Sequence, residues 1–362
     1  MLRPAPPVLA AVAVFSLTAC RGEAAAPYGA EFVATDSGLV AQAHAVVLLP
    51  EGGADAATVR VLVNGYPVDE WGGIGLEFGG MYYAGVGSAF VGERNVVRVE
   101  FDPLVTVGAG GVAASRVWGE AVVTNDYAVE GRGWAERYVP VAGLVVARAD
   151  LGAAWERWRA GLQAHLDSLG AAGALPAGTV AGAGAAGVDA VADSARAYVE
   201  RRPVAVEMTF DSEPGPLTAL AREVLREAAP VADRDSVVAF ALAVRGAYAA
   251  RDTAAVLGFE AFLDIGTPGE PGRTEADLRD FAADVLGPDY ALDFGAGDLV
   301  LRPWAGGRVW EVRVRDTEAE TVPGAPPPTR AFFSEPLGSG EWLEQVRLYV
   351  GRVGGELRRV RF

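Results

Sequence analysis

The sequence predicts an α+β protein: an N-terminal antiparallel β-sandwich, then helices, then a C-terminal unit of helices and a curved antiparallel sheet. Three observations predict this order. Short segments of alternating polar and apolar residues, separated by Gly-rich turns, occupy the first part of the 362-residue chain. Apolar residues then recur at helical spacing, and alternating segments return towards the C-terminus.

Residues 30–148 are predicted to form the β-sandwich domain. Residues 58–63 alternate and run into Asn64-Gly65, a strong hairpin signal because both residue types tolerate a positive φ. Residues 95–101 alternate in the same way, which places Val97 and Val99 on one face. Further strands are expected at residues 45–49, 116–124 and 139–146.

The passage from Val59 to Phe101, with its Asn-Gly turn, resembles the jelly-roll modules of bacterial surface proteins. That resemblance implies a domain that binds sugars or packs beside another domain. An aromatic platform for a sugar ring would need exposed rings, and the ordinary alternative is that the same rings belong to the core. The candidate rings are Trp71, Tyr82, Tyr83 and Phe90.

Residues 149–216 are predicted to be a helical connection with a Gly/Ala-rich loop. Trp155, Trp158 and Leu162 lie three or four residues apart and so share one helix face. Residues 170–187 are mostly Gly and Ala and are typical of a linker. Residues 190–201 can return to a helix, and residues 204–210 alternate like a strand.

Residues 217–362 are predicted to be a second domain in which helices precede a sheet. Capping residues and apolar stripes predict helices at 217–228, 236–250, 254–262 and 275–286. Alternating segments predict strands at 290–294, 299–302, 308–315, 330–334, 342–351 and 357–362.

The helix-turn-helix from Val238 to Leu257, with Tyr248 before the acidic turn at Asp252, resembles the cystatin-like cone fold of nuclear transport factor two, ketosteroid isomerase and the polyketide cyclases. The resemblance implies a sheet that closes over the long helix, with an acid-base aspartate or histidine inside the cone in the family's enzymes. Here residues 217–362 contain no histidine, and the proline-rich insertion at 316–329 departs from the compact pattern.

A candidate ligand pocket in this domain consists of Tyr248, Tyr290, Asp293 and Asp298. A buried aspartate beside a tyrosine could act as a general base. The alternative is that residues 293–298 form a glycine-containing hairpin whose carboxylates are solvated. No residue is therefore assigned a catalytic or metal-binding role. The sequence contains no nucleophile elbow, phosphate-binding loop, dinucleotide fingerprint or zinc spacing, so no cofactor is expected.

The N-terminus carries a sorting pattern. Arg3 precedes an apolar run at residues 8–17, and Leu17-Thr18-Ala19-Cys20 resembles the lipobox of bacterial lipoproteins. The resemblance implies a signal peptide at residues 1–19, lipidation of Cys20 and a lipidated tether at residues 20–29. An ordinary secretory signal or a buried cysteine are the alternatives. Because Arg21 rather than aspartate follows Cys20, the resemblance favours the periplasmic face of the outer membrane.

Composition limits the partners. The formal net charge is −16 at pH 7, which disfavours nucleic acid. The expected partners are a membrane, through the N-terminal lipid, and an envelope protein or a small ligand. The favoured function is a non-catalytic binding or scaffold role in a membrane-anchored cell-envelope lipoprotein. The alternative is a small-molecule enzyme or ligand carrier that uses the interior of the C-terminal cone-like domain.

Overall fold

The protein is described here from a computed structural model. Helices and antiparallel sheets occur together in it, as the α+β prediction requires. The structure describes residues 43–52, 57–72, 79–108, 111–124, 126–128, 138–140, 147–175, 185–211, 216–261, 275–317, 329–336 and 342–361. The predicted signal peptide, Cys20 and the tether lie outside these residues.

The N-terminal half contains two four-stranded antiparallel sheets that share one hydrophobic core. The first sheet has the order β11-β8-β1-β4, with β1 at His44–Leu49, β4 at Gly80–Gly85, β8 at Glu120–Thr124 and β11 at Ala147–Asp150. The second has the order β12-β5-β2-β3, with β2 at Ala57–Val63, β3 at Tyr66–Gly72, β5 at Asn95–Pro103 and β12 at Val204–Phe210. Two short hairpins pair β6 (Val105–Gly108) with β7 (Gly111–Ala114) and β9 (Asp126–Ala128) with β10 (Tyr138–Pro140).

The second sheet shows why its sequence alternates. Val97, Val99 and Phe101 of β5 are fully buried, whereas Arg98 and Glu100 lie on the opposite, half-buried face. Strands β2 and β3 are joined by the predicted turn, in which Asn64 has φ 52° and Gly65 has φ 81°. The sheet therefore has one apolar face in the sandwich core and one charged face.

The segment predicted as a helical connection contributes to the first half. Strand β12 pairs along its full length with β5 and forms one edge of the second sheet. Helices α1 (Leu151–Ala171) and α2 (Ala185–Arg201) add their apolar faces to the same core. Residues 149–211 thus extend the sandwich, where the sequence suggested a connection.

The C-terminal half places helices against a sheet. Helix α3 (Pro216–Arg222) continues into a π-helical turn at Glu223–Glu227, and α4 (Arg234–Ala249), α5 (Thr253–Phe259) and α6 (Glu275–Leu286) follow. The sheet has the order β13-β14-β18-β19, with β15 also paired to β14. The strands of this sheet are β13 (Leu299–Trp304), β14 (Val309–Arg315), β15 (Thr329–Ala331), β18 (Leu348–Val353) and β19 (Glu356–Arg359). A separate pair consists of β16 (Phe333–Pro336) and β17 (Trp342–Val346).

A second core lies beneath α4. Val237, Ala241 and Val244 of this helix are fully buried, and they belong to one cluster with Val312 and Val350 of the sheet. The apolar stripe predicted for this helix is therefore its packing face.

One predicted strand is absent, and one predicted helix is present but ends early. Residues 290–294 do not form a strand. Instead, Ala291 N donates to Ser334 O at 2.9 Å, and side chains occupy two carbonyls, since Arg330 donates to Ala291 O and Arg245 to Phe294 O. The predicted helix at 254–262 ends at Phe259 because Glu260 forms a bridge with Arg359 of β19.

The two halves touch at a junction. The carbonyl oxygen of Gly65, at the tip of the β2–β3 hairpin, accepts a hydrogen bond of 3.0 Å from Ala305 N, just after β13. The rings of Tyr66 and Tyr349 lie 5.0 Å apart, and Tyr349 belongs to the core of the first half. The helices within the described residues are all too short or too polar to cross a bilayer.

Candidate functional site

Four side chains meet inside the C-terminal half and are named the interior cluster: Tyr248 of α4, Glu260 after α5, Phe333 of β16 and Arg359 of β19. The bridge between Glu260 and Arg359 brings residues 99 positions apart into contact. Ala261 N reinforces it by donating to Arg359 O at 3.0 Å.

The guanidinium of Arg359 organises the interior cluster. Its Nη1 group donates to Glu260 Oε1 at 2.6 Å and to the Tyr248 hydroxyl at 2.7 Å. Its Cζ lies 4.8 Å from the centroid of the Phe333 ring. The side chains of Arg359 and Glu260 are each only 1% exposed, so solvent does not screen this ion pair.

Some polar atoms of the interior cluster are buried without a hydrogen-bond partner in the described part of the chain. Within the described part of the chain, Arg359 Nε, Arg359 Nη2 and Glu260 Oε2 have no hydrogen-bond partner although they are buried. A buried polar group left without a partner costs about 1–3 kcal/mol, so most such groups in native proteins are satisfied by protein, water or ligand.

Burial of the interior cluster favours the protonated form of its phenol. Burial raises the pKa of Tyr248, and burial likewise raises the pKa of the neighbouring Tyr290. Burial and repulsion from Arg359 lower the pKa of Arg361, whose Nη2 lies 3.8 Å from Glu260 Oε1. Glu260 therefore shares one oxygen between two guanidinium groups.

The structure brings together two of the four residues predicted as a ligand pocket. The rings of Tyr248 and Tyr290 lie 6.0 Å apart, and Tyr290 is half-buried. Asp293 is exposed to solvent. Asp298 accepts a hydrogen bond from Gly295 N at 2.8 Å, in the short 3₁₀ turn before β13. The two aspartates are thus placed as solvated or turn-capping groups.

Sequence reasoning missed the residues that complete the cluster. Glu260 follows an amphipathic helix, where a solvated acid is the usual expectation. Arg359 stands in an arginine-rich C-terminal segment that reads as an exposed strand. The pairing spans 99 residues, and no local pattern signals it.

A second charged group of side chains lies where the halves meet and is named the junction cluster: Arg60, Glu70, Glu100, Trp304 and Arg347. Arg60 of β2 faces Glu70 of β3 and Glu100 of β5 across the sheet, with N···O distances of 2.7 Å and 3.3 Å. From the C-terminal half, Arg347 approaches Glu70 at 3.6 Å, and the Trp304 ring lies 5.6 Å from Arg60 Cζ.

The opposite charges in the junction cluster stabilise each other's ionised forms. Although burial opposes its charge, the pKa of Arg60 is raised, chiefly by Glu70. Although burial acts to raise it, the pKa of Glu70 is lowered by Arg60 and Arg347. Burial raises the pKa of nearby Asp102, whose carboxylate lies 3.5 Å from Arg60. This arrangement joins the two halves through mutually paired charges.

The predicted aromatic platform does not form a planar row. Phe90 is buried and packs edge-on against Phe210 at 5.2 Å. Trp71 and Tyr82 lie 5.7 Å apart with their planes at 43°. A sugar ring stacks on an exposed flat surface, which these four rings do not offer together.

A surface cleft of about 210 Å³ lies between the loop after the first sheet's β4 and the π-helical turn. Arg222 and Arg226 line it with Glu93 and Glu227, so its charges are balanced. Arg222 Nε donates to Val91 O at 3.1 Å, and Arg226 Nη2 donates to Arg94 O at 2.5 Å. These guanidiniums hold the loop against the helix.

Within the described ranges, no set of three or more His, Cys, Asp or Glu side chains is arranged to hold a metal ion. No protein-family model matches the chain, and neither does a curated protein or a solved structure. The assignment of function therefore depends on the residues themselves.

Proposed function

We propose that this chain is a membrane-anchored lipoprotein of the cell envelope, with a non-catalytic binding or scaffold role. The observation that carries the proposal is the sequence Leu17-Thr18-Ala19-Cys20 behind an apolar run. Each buried methylene of an attached acyl chain contributes about 0.8 kcal/mol to membrane binding. Three chains on one cysteine would hold the protein firmly, with the periplasmic face of the outer membrane as its expected place.

The interior cluster supports a binding role over an enzymatic one. A general base must be reached by the substrate proton that it takes. Glu260 is the carboxylate of this cluster; its side chain is only 1% exposed, and its Oε1 is held by Arg359 at 2.6 Å. Since burial raises the pKa of Tyr248, its phenol stays protonated and is a poor base at neutral pH.

The packing of the C-terminal half supports the same conclusion. The Phe333 ring lies 4.4 Å from Tyr248, 5.1 Å from Tyr290 and 4.9 Å from Phe332. An enzyme pocket of ordinary size encloses several hundred cubic ångströms around the reacting atoms. Here the rings of Phe333 and Tyr290 pack directly against Tyr248, the phenol of the interior cluster.

Fractionation of the host cell tests the anchoring. The Cys20→Ala variant should move from the membrane fraction to the soluble fraction, because the acyl chains have no sulfur to join. The Thr18→Ser variant is the matched control: it keeps a small residue before the cleavage point and should stay with the membrane. Cys20→Ala protein that remains in the membrane fraction would contradict the proposal.

A further inference from the structure

One edge of the Arg359 guanidinium is left open by the interior cluster. Nη1 donates to Glu260 and Tyr248, and Cζ lies over the Phe333 ring. Nε and Nη2 have no hydrogen-bond partner among the residues that the structure describes, although the side chain is 1% exposed. These two nitrogens form one side of the planar fork, and their N–H bonds match the two oxygens of a carboxylate.

We propose that the interior cluster is a binding site for a small organic carboxylate, held by Arg359 through Nε and Nη2. The inference rests on the binding role proposed above and names its ligand class. Glu260 Oε2, which also lacks a partner within the described ranges, can accept a hydrogen bond from a hydroxyl or amino group on the same ligand.

The charges in the cluster favour an anion over water. Glu260 Oε1 lies 2.6 Å from Arg359 and 3.8 Å from Arg361, so one carboxylate is shared by two guanidiniums. The lowered pKa of Arg361, caused by burial and by Arg359, is consistent with positive charge that a further anion would stabilise. A single water cannot supply that negative charge, whereas a carboxylate supplies it together with two acceptors.

Tyr290 borders the interior cluster on its aromatic side. It is the half-buried neighbour of the cluster, with its ring 6.0 Å from Tyr248 and 5.1 Å from Phe333. It lies in the irregular segment at 287–295, where the predicted strand is absent. Movement of the Tyr290 ring would therefore loosen the aromatic side of the cluster without displacing a strand of the sheet.

The test uses acetate as the probe and the purified full-length chain. The melting temperature is measured as sodium acetate replaces sodium chloride at constant ionic strength, with acetamide as the neutral control. Binding to the native state alone predicts a saturable rise in Tm with acetate and none with acetamide. Arg359→Lys, which keeps the charge but loses the fork, should raise the acetate midpoint at least tenfold; Arg60→Lys is the matched control and should leave it unchanged.

A second measurement holds whether or not the Arg359→Lys variant folds. In the wild-type chain labelled with ¹⁵N-arginine, acetate should shift one Nε–H resonance with the same midpoint as the rise in Tm. A Tm that responds equally to acetamide, an acetate response retained by Arg359→Lys, or a stronger response to chloride would each overturn the proposal. Fractionation of Cys20→Ala does not involve this site, so the anchoring and the ligand class can fail independently.

Discussion

Arg60 and Arg359 are both arginines that pair with carboxylates, but Arg60 is half-buried, Arg359 is buried, and their partners differ. Arg60 has carboxylate oxygens of Glu70, Glu100 and Asp102 within 2.7 Å, 3.3 Å and 3.5 Å. Arg359 pairs, among the described residues, with Glu260 alone and is 1% exposed, against 12% for Arg60. Arg60 therefore has several carboxylate partners and is partly screened by solvent, whereas Arg359 has, in the described part of the chain, one carboxylate partner, which it shares with Arg361.

We interpret this difference as one of role: the junction cluster stabilises the contact between the halves, and the interior cluster is the proposed binding site. In the junction cluster, several partners satisfy each charge, which suits a fixed contact between two halves. In the interior cluster, Glu260 and Tyr248 both engage Nη1 of the guanidinium, which leaves Nε and Nη2 for the proposed ligand. Removing single residues from each cluster should therefore have unequal effects.

The largest effect is expected from Glu260→Ala. It leaves a buried guanidinium without its paired charge, and breaking a buried pair in this way costs about 3–5 kcal/mol of the free energy of unfolding. The matched variant Glu70→Ala leaves Arg60 with Glu100 and Asp102, so about 1 kcal/mol or less is expected. Urea unfolding of both variants measures the ratio. Equal losses would show that the two clusters do not differ as described.

A smaller effect is expected at the hairpin tip that joins the halves. Gly65 has φ +81°, and an added Cβ would lie 3.1 Å from Ala305 Cα. Gly355 has nearly the same φ of +84° but open space around it. Both alanine variants incur about 1–2 kcal/mol of left-handed strain.

Close contact should cost Gly65→Ala roughly 1 kcal/mol more than Gly355→Ala. Thermal unfolding of the two variants side by side isolates that contact. If Gly355→Ala were as unstable as Gly65→Ala, the close approach of Gly65 to Ala305 would not contribute to the loss of stability.

The smallest effects concern pH. Because the folded-state pKa of Glu70 is lowered, its contribution is present above its unfolded pKa of about 4.3 and is lost as pH falls through the folded value. The raised pKa of Asp102 acts in the opposite sense, since ionisation of this carboxyl costs stability that is regained on acidification.

Glu70→Gln should therefore be less stable than the wild type at pH 7, by less than about 1 kcal/mol, and equal to it well below pH 4. Asp102→Asn should be slightly more stable at pH 7, and that gain should disappear in acid. Unfolding curves from pH 3 to pH 7 measure both. A gap for Glu70→Gln that widens in acid would contradict the assigned charge state.

Local pattern predicted much of the fold. The Asn64-Gly65 turn and the helix at Glu275–Leu286 form where their residues indicate, because turn chemistry and helical spacing act over a few neighbours. Strand β12 shows what local pattern cannot predict. Its alternating residues predicted a strand, but they did not predict that it pairs with β5, about 100 residues earlier in the chain. Pairing partners depend on the whole core.

The candidate site was less predictable for the same reason. The sequence predicted that Tyr248 belongs to the apolar stripe of its helix, and the structure places the Tyr290 ring beside it. The aspartates were predicted to lie near the mouth of the sheet, whereas the acid that reaches Tyr248 through Arg359 is Glu260, brought in by a bridge to β19. A buried ion pair carries no local signature, because charged residues on helix ends and strands are usually solvated.

The proposed anchoring at Cys20 would place all of these contacts at the cell envelope. The most direct test is the mass of the N-terminal peptide from protein isolated out of its own membrane. The account predicts a peptide that begins at Cys20 and carries the added mass of acyl chains on that residue. A peptide still joined to residues 1–19, with an unmodified thiol at Cys20, would contradict it.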